Sequence, residues 1–146
     1  MKYERDQYWL CHQIVTEAHD AIIMADREGI IRLWNKGAEL IFNFNPAEAL
    51  GQSLHILIPE NLRERHDQGY HKVMESGQSK YSYELLAVPA LKKDASRISV
   101  EFTINLIREQ GRILGAAAII RDVSARWEAK RALKRHLSEL EALVKQ

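Results

Sequence analysis

A strict alternation of apolar and polar side chains over residues 97–105 constrains the fold more than any other feature of the sequence. The apolar set is Ile98, Val100, Phe102 and Ile104, and the polar set is Arg97, Ser99, Glu101, Thr103 and Asn105. Because successive side chains of a strand point to opposite faces, the pattern predicts a strand with one buried and one solvated face. Such a strand requires neighbouring strands for its backbone hydrogen bonds.

Two further segments predict strands before and after this one in the chain. They cover residues 81–91 and 113–121, and each is joined to the alternating segment by a short turn typical of antiparallel strands. Pro89 cannot donate a ladder hydrogen bond, so it predicts an edge position or a bulge for the first of them. The apolar run at residues 116–120 predicts a place inside the sheet for the last.

The N-terminal half predicts a β-hairpin followed by several short helices. Residues 21–25 and 30–34 are apolar segments on either side of a turn that contains glycine. Asn35 is a good N-cap for a helix directly after the second strand, and the longest of these short helices is expected from near Pro59 to Gly77. A short helix over residues 8–18 precedes the hairpin.

The composition is that of one compact domain in a reducing compartment. The chain has 146 residues, a formal net charge of +1 and a single cysteine, Cys11, which cannot form an internal disulfide. Its charged start lacks the apolar run of a secretory signal, and no stretch approaches the roughly 20 apolar residues of a membrane helix. We therefore expect a cytoplasmic protein without a membrane segment. The balanced charge gives no overall attraction to nucleic acid.

Two strands, several short helices, three strands and an outgoing helix together predict an α+β domain. This order resembles the PAS family, and so do sequence patches spread over residues 18–124. The patches are Asp20-Ala21-Ile22-Ile23, Trp34-Asn35-Lys36-Gly37-Ala38-Glu39, Glu48-Ala49-Leu50-Gly51, Leu57-Ile58-Pro59-Glu60, Lys92-Lys93-Asp94 and Arg121-Asp122-Val123-Ser124. The resemblance implies a five-stranded antiparallel sheet with short helices on one face. It also implies a sensory domain at residues 19–124 between flanking helices at 1–18 and 125–146.

Two positions depart from the family pattern. Family members usually carry glycine where this chain has Asn43 and Ala95. Asparagine tolerates the left-handed conformation, whereas Ala95 predicts a different turn type between the first two strands of the C-terminal half.

The predicted helix over residues 59–77 has an apolar face that includes a histidine. Leu62, His66, Tyr70 and Val73 share this face at helical spacing. From the residues alone, His66 is either a buried histidine satisfied by a backbone carbonyl or a ligand for a metal or cofactor.

The residues around His66 resemble those of haem-binding PAS oxygen sensors of the FixL and DOS type. The resemblance rests on Ile58-Pro59-Glu60 followed by Arg65-His66-Asp67. It implies that His66 is the axial iron ligand of haem b, with Tyr70 on the same helix face. It also implies that Lys72 and Lys80 pair with the haem propionates. A neutral imidazole on a fixed helix suits haem iron, and its other ring nitrogen needs a hydrogen-bond acceptor.

The same resemblance places the opposite side of the haem pocket on two strands. Leu86 occupies the position where the oxygen-sensing relatives carry an arginine that binds oxygen, and Val100, Phe102 and Ile104 would face the ligand. Since Leu86 supplies no charged donor, we expect carbon monoxide, nitric oxide or a redox change as the stimulus rather than O2. A stable oxygen complex that oxidises slowly would contradict this expectation.

Several other functions fit the sequence less well. The Arg-His-Asp motif also occurs in PAS domains without a known cofactor, so a PAS module that binds another small molecule, or only dimerises, is the alternative. A flavin photosensor is not expected, because the single cysteine, Cys11, lies on the leading helix. An enzyme is not expected either, since the six histidines follow no catalytic or zinc motif.

The C-terminal helix is the predicted output element. Leu133, Leu137, Leu140 and Val144 form a narrow seam of at most three heptads that would pair with a second copy. We expect a homodimer through the flanking helices and a signal to a downstream protein. The basic residues of this helix, Arg126, Lys130, Arg131, Lys134 and Arg135, are interpreted as a solvated face rather than a nucleic-acid site, because acidic residues follow them.

Overall fold

The computed structural model describes residues 6–78 and 86–145 and contains a five-stranded sheet with helices. The strands are β1 Ala21–Asp26, β2 Ile31–Trp34, β3 Leu86–Leu91, β4 Arg97–Glu109 and β5 Arg112–Asp122. The helices are α1 Gln7–Glu17, α2 Lys36–Phe42, α3 Pro46–Ala49, α4 Arg63–Ser76 and α5 Ser124–Val144, with 3₁₀ helices at Leu54–Leu57 and Glu60–Leu62. The predicted α+β class and the five-stranded antiparallel sheet are confirmed.

The strand order is β2-β1-β5-β4-β3, so the last strand in the sequence is the central one. The central position of β5 agrees with the prediction from the apolar run at residues 116–120. Strand β3 lies at the edge, and the exposed Pro89 sits there as predicted. Lys80 and the first part of the predicted strand 81–91 lie outside the described residues, as does the side chain of Leu86.

The core lies between the inner face of the sheet and helices α2 and α3. Ile23, Trp34, Val100 and Ile120 project from the sheet into it, and Phe42 at the end of α2 is 1% exposed. Helix α2 begins at Asn35, whose side chain accepts a hydrogen bond from the Ala38 N–H. Helix α3 begins with a capping box between Asn45 and Glu48. The N-cap predicted at Asn35 is therefore confirmed.

The polar face of β4 is less solvated than the alternation predicts, because helix α5 begins beside it. The Ser99 N–H donates to the Ser124 Oγ at 2.9 Å. Glu101 accepts from Arg126 Nη1 at 3.2 Å, and both Ser99 and Glu101 are half-buried. The start of α5 is thus attached to the first residues of β4.

The turn before β4 corrects one expectation. Ala95 has a φ of 67°, the left-handed conformation that relatives reach with glycine, and not a different turn type. The neighbouring Asp94 side chain accepts from the Ser96 N–H at 3.0 Å and so holds the turn. Asn43 adopts the predicted left-handed conformation, with a φ of 65°.

The flanking helices have little contact with the core. Neither α1 nor α5 contains a buried residue, and Leu133 and Leu137 on α5 are 61% and 52% exposed. Within the described ranges, no helix combines the length and the apolar character that crossing a membrane requires.

Replacing Gly37 by alanine is expected to lower the free energy of unfolding by about 2–3 kcal/mol. A Cβ at this position of α2 would lie 2.1 Å from the carbonyl oxygen of Asp20 and 2.6 Å from that of His19. Because both obstacles are backbone atoms, α2 would have to move away from the start of β1. Urea unfolding followed by circular dichroism measures the change.

Gly69→Ala on helix α4 is the matched control. A Cβ at Gly69 meets no atom within 4 Å, so alanine should instead stabilise the protein by about 1 kcal/mol through its higher helix propensity. Equal effects of the two substitutions would contradict the tight contact at Gly37.

Candidate functional site

Helix α4, which carries His66, lies against the turn between β1 and β2. The Tyr70 hydroxyl donates to the carbonyl oxygens of Ala25 at 3.1 Å and Asp26 at 2.6 Å, at the end of β1. At the C-terminal end of α4, Gly77 has a φ of 69°, and its carbonyl oxygen accepts a hydrogen bond from Arg108 Nη2 at 2.5 Å. These bonds fix the helix across the hairpin end of the sheet.

A cleft of about 520 Å³ separates α4 from the β1–β2 turn and the first 3₁₀ helix. Three histidines, His55, His66 and His71, contribute to its lining. The other lining residues are Arg27, Glu28, Gly29, Ser53, Leu54, Asp67, Tyr70, Met74 and Glu75. The cleft is therefore rich in groups that donate or accept hydrogen bonds.

The His66 ring is held on two sides. It stacks on the Tyr70 ring with centroids 5.6 Å apart and an interplanar angle of 26°. Its Nδ1 lies 3.4 Å from Oδ1 of Asp67, and 31% of the side chain is exposed. Burial lowers the pKa of His66, although the neighbouring Asp67 acts in the opposite direction. Burial thus favours the neutral form of the ring, which is the form that binds metals.

Asp67 also pairs with a second histidine. His55 Nε2 lies 2.7 Å from Oδ1 and 2.9 Å from Oδ2 of Asp67, so one imidazole N–H serves both carboxylate oxygens. The hydrogen bond from His55 lowers the pKa of Asp67. Asp67 is thus an ionised acceptor between two imidazole rings.

The structure brings only part of the predicted site into this cleft. His66 and Tyr70 line it together, whereas Lys72 is exposed on α4. Val100 is 3% exposed within the core, and Phe102 packs against the same core. Ile104 is half-buried on the same strand, and Leu86 pairs with Phe102 in the register of β3 and β4.

Sequence reasoning missed His55 and Asp67. Asp67 follows His66 directly but lies off the apolar face, so helical periodicity assigned it to solvent. His55 is 12 residues away from Asp67, on a different element, and no spacing rule connects them. The adjacency of Asp67 to His66 was the one available signal.

The basic residues of α5 are partly engaged within the chain. Arg126 bonds to Glu101, and Lys130 Nζ lies 5.6 Å from the centroid of the Trp127 ring. A cation at this distance from an aromatic face is attracted to it. The interpretation of this cluster as a solvated face rather than a nucleic-acid site stays a prediction.

Tyr70 gives the site a testable dependence on alkaline pH. Burial raises the pKa of Tyr70 to about 12. Because the unfolded value is near 10, the folded state holds this proton more tightly, so the stabilisation is complete below pH 10 and is lost as the pH rises from about 10 to 12. We expect Tyr70→Phe to be less stable than wild type at pH 8 and to lack this alkaline loss.

Urea unfolding at pH 8 and pH 11 measures both effects. The difference in stability between the wild type and Tyr70→Phe should be smaller at pH 11 than at pH 8, while Tyr8→Phe, at a side chain that is 91% exposed, should follow the wild type at both. A constant difference between wild type and Tyr70→Phe at both pH values would contradict the burial of this hydroxyl.

Comparison with known families places this architecture. Residues 10–123 match the family described as the PAS fold. The chain belongs to the PAS family. The resemblance predicted from the sequence patches is therefore confirmed, and the protein contains a PAS sensory domain.

Three relatives of this PAS domain show different degrees of similarity. An uncharacterized protein of Azorhizobium caulinodans is 36% identical over 117 residues, which are 80% of this chain and 16% of that protein. The sensor protein FixL of Bradyrhizobium diazoefficiens is 48% identical over 48 residues, which are 33% of this chain and 10% of that protein. The oxygen sensor protein DosP of Escherichia coli is 23% identical over 108 residues, which are 74% of this chain and 13% of that protein. The chain thus spans between 10% and 16% of the length of these relatives.

Solved structures share the fold at lower sequence identity. The PAS domain of a protein from Colwellia psychrerythraea superimposes with a TM-score of 0.71 at 24% identity, covering 82% of this chain and 99% of that one. An RNA-binding light-oxygen-voltage receptor superimposes with a TM-score of 0.73 at 18% identity, covering 92% of this chain and 38% of that one. At these identities the likeness concerns the fold alone.

The donor chemistry around His66 fits an axial ligand of haem iron. Nδ1 lies beside the Asp67 carboxylate, and within the described residues Nε2 has no hydrogen-bond partner. A histidine that ligates metal typically donates its other N–H to a carboxylate or carbonyl. His66 therefore has one nitrogen engaged in the usual way and one nitrogen available for a metal.

Proposed function

We propose that this PAS domain is a haem-based sensor in which His66 is the axial ligand of haem b. The observation that supports this most is the state of the His66 imidazole. The ring is partly buried, its Nδ1 faces a carboxylate, it stacks on Tyr70 on an anchored helix, and burial lowers its pKa. The similarity of the chain to the oxygen sensor DosP and the sensor FixL also supports the proposal.

The remaining proposed contacts follow from the resemblance. Lys72, exposed on α4, would pair with a propionate, while Val100, Phe102, Ile104 and Leu86 would form the apolar side opposite His66. Bound haem would supply an iron that binds a diatomic gas or changes its redox state. The gas would be carbon monoxide, nitric oxide or O2, and the leucine at position 86 favours the first two.

The proposed signal leaves through the end of β5. The Val123 N–H donates to the Ser99 carbonyl at 2.9 Å, so the start of α5 moves with β4. At the same end of these strands, Arg121 Nη2 pairs with Asp20 Oδ2 at 3.0 Å. Asp20 follows α1, so the two flanking helices join the sheet at neighbouring positions. A displacement of the sheet would therefore reach both helices.

The proposed output is a homodimer that acts on a downstream signalling protein. Leu133, Leu137, Leu140 and Val144 on α5 are between 46% and 85% exposed in the single chain. Pairing of this seam with a second copy would bury it.

Titration with haemin tests the proposal. The wild type is expected to develop a Soret band that saturates at one haem per chain, and the reduced complex should bind carbon monoxide. A spectrum that remains that of free haemin would exclude the haem sensor. The reduced haem complex is expected to oxidise rapidly in air, because leucine at position 86 supplies no charged donor to bound oxygen.

The packed core supports a second candidate, a PAS module without haem. Val100 is 3% exposed, and Phe102 packs against the core cluster, so side chains already occupy the sheet face that haem would contact. Such a module would bind another small molecule in the cleft beside His66 or serve only in dimerisation. The same haemin titration distinguishes it from the haem sensor.

A further inference from the structure

We propose that His55 is a positioning residue for His66 and acts on it through Asp67. The inference rests on the proposed function of His66 as a ligand and adds the residue that sets the orientation and proton position of its ring. The three side chains form a chain of contacts, His55 to Asp67 to His66, along one wall of the cleft.

The Asp67 carboxylate needs a second hydrogen-bond partner to keep its orientation toward His66. Its side chain is 54% exposed, and its contact with His66 Nδ1 is long, at 3.4 Å. A single exposed carboxylate at this distance would rotate freely into solvent. The N–H of His55 contacts both oxygens, at 2.7 and 2.9 Å, and so restricts that rotation.

His55 is itself fixed to the β1–β2 hairpin. Its backbone N–H donates to the Ser53 side chain at 3.1 Å, in the cap of the first 3₁₀ helix. Ser53 pairs with Ile30 in a β-bridge, and the Leu54 N–H donates to the Gly29 carbonyl at 2.9 Å. The imidazole of His55 therefore projects from a 3₁₀ helix that is bonded to the hairpin, toward the helix that carries His66.

The consequence for His66 concerns the position of its proton. A carboxylate only accepts hydrogen bonds, so the fixed Asp67 favours the tautomer with the proton on Nδ1. The lone pair then resides on Nε2, the nitrogen that binds metal in this arrangement. Without His55, Asp67 would turn away and this preference would weaken.

The test that requires no haem is ¹⁵N NMR of the histidine rings in the haem-free protein, with the His66 signals assigned by their loss in His66→Gln. In the wild type, the His66 proton is expected on Nδ1. His55→Phe should move the ring toward the tautomer mixture of an unrestrained imidazole, while His55→Gln, which still carries an N–H donor, should retain the wild-type state.

His71→Gln is the matched control for these variants. His71 lies on the same helix and lines the same cleft, but it pairs with Glu75 at 3.1 Å rather than with Asp67. The His71→Gln variant should leave the tautomer of His66 unchanged. An identical His66 tautomer in His55→Phe and wild type, or a wild-type proton on Nε2, would overturn the inference.

Haemin titration separates this inference from the proposed function. His55→Phe should weaken haem binding by about 10-fold, the lower end of the usual effect of losing the partner that contacts a metal ligand directly, which here is Asp67. It should also raise the reduction potential of the iron, because the imidazole becomes a weaker electron donor. If the wild type binds haem through His66 and His55→Phe matches it in both properties, His55 has no positioning role. If the wild type binds no haem, the proposed function as a haem sensor is wrong, while the tautomer measurement still decides whether His55 positions His66.

Discussion

Asn35→Ala is expected to lower the free energy of unfolding by about 3–5 kcal/mol. The side chain is 3% exposed, and its amide oxygen accepts from two backbone N–H groups while its amide nitrogen donates to three backbone carbonyls. The partners are the N–H of Ile22 at 2.8 Å and Ala38 at 2.9 Å, and the carbonyls of Val15 at 2.9 Å, Ala18 at 3.2 Å and Asp20 at 3.0 Å. Alanine would leave these groups without a partner beside the core.

The expected loss is a large share of the total stability of a small domain. Each backbone donor left unsatisfied in a buried position costs about 1–3 kcal/mol, against a typical total of about 5–15 kcal/mol. Urea unfolding followed by tryptophan fluorescence measures it. Asn45→Ala is the control, because Asn45 is exposed and its side chain caps α3 with one bond to the Glu48 N–H at 2.8 Å, so its loss should cost only about 1 kcal/mol.

A loss at Asn35 no greater than that at Asn45 would contradict the role of Asn35 as a junction. Asn35 also connects α1 to the sheet, because the carbonyls that it holds are those of Val15 in the last turn of α1 and of Ala18 and Asp20 directly after it. The variant should therefore loosen α1 from the sheet even where the core stays folded. Hydrogen exchange at the N–H groups of α1 would report that change.

The sequence was sufficient for the sheet because its pattern is local. The alternation at residues 97–105 and the apolar run at 116–120 identified β4 and β5, and Pro89 indicated the edge. The N-cap at Asn35 was equally local, since its bond to Ala38 spans three residues. These features depend on neighbours in the chain and on the period of a strand or helix.

The remaining features depend on contacts between distant elements. Four of the five bonds of Asn35 reach residues 13 to 20 positions away, and no pattern in the sequence marks them. His55 meets Asp67 only because the first 3₁₀ helix folds against α4. Ala95 retains a left-handed φ because Asp94 and Ser96 fix the turn, which outweighs the local preference of alanine.

His66→Gly is expected to weaken haem binding by more than about 100-fold, beyond the range for losing an outer hydrogen-bond partner. The glycine leaves a space beside Tyr70 in which free imidazole can take the place of the missing ring. Added imidazole should therefore restore the wild-type Soret band and the binding of carbon monoxide. His71→Gly, which introduces the same residue on an exposed side of the same helix, should bind haem as the wild type does.

The haemin titration of His66→Gly, with and without imidazole, is the most direct measurement of the central claim. If His66 is the axial ligand, the wild-type spectrum is lost in the variant and returns with imidazole, while His71→Gly retains it throughout. A His66→Gly protein that binds haem with the wild-type spectrum and affinity in the absence of imidazole would contradict the claim.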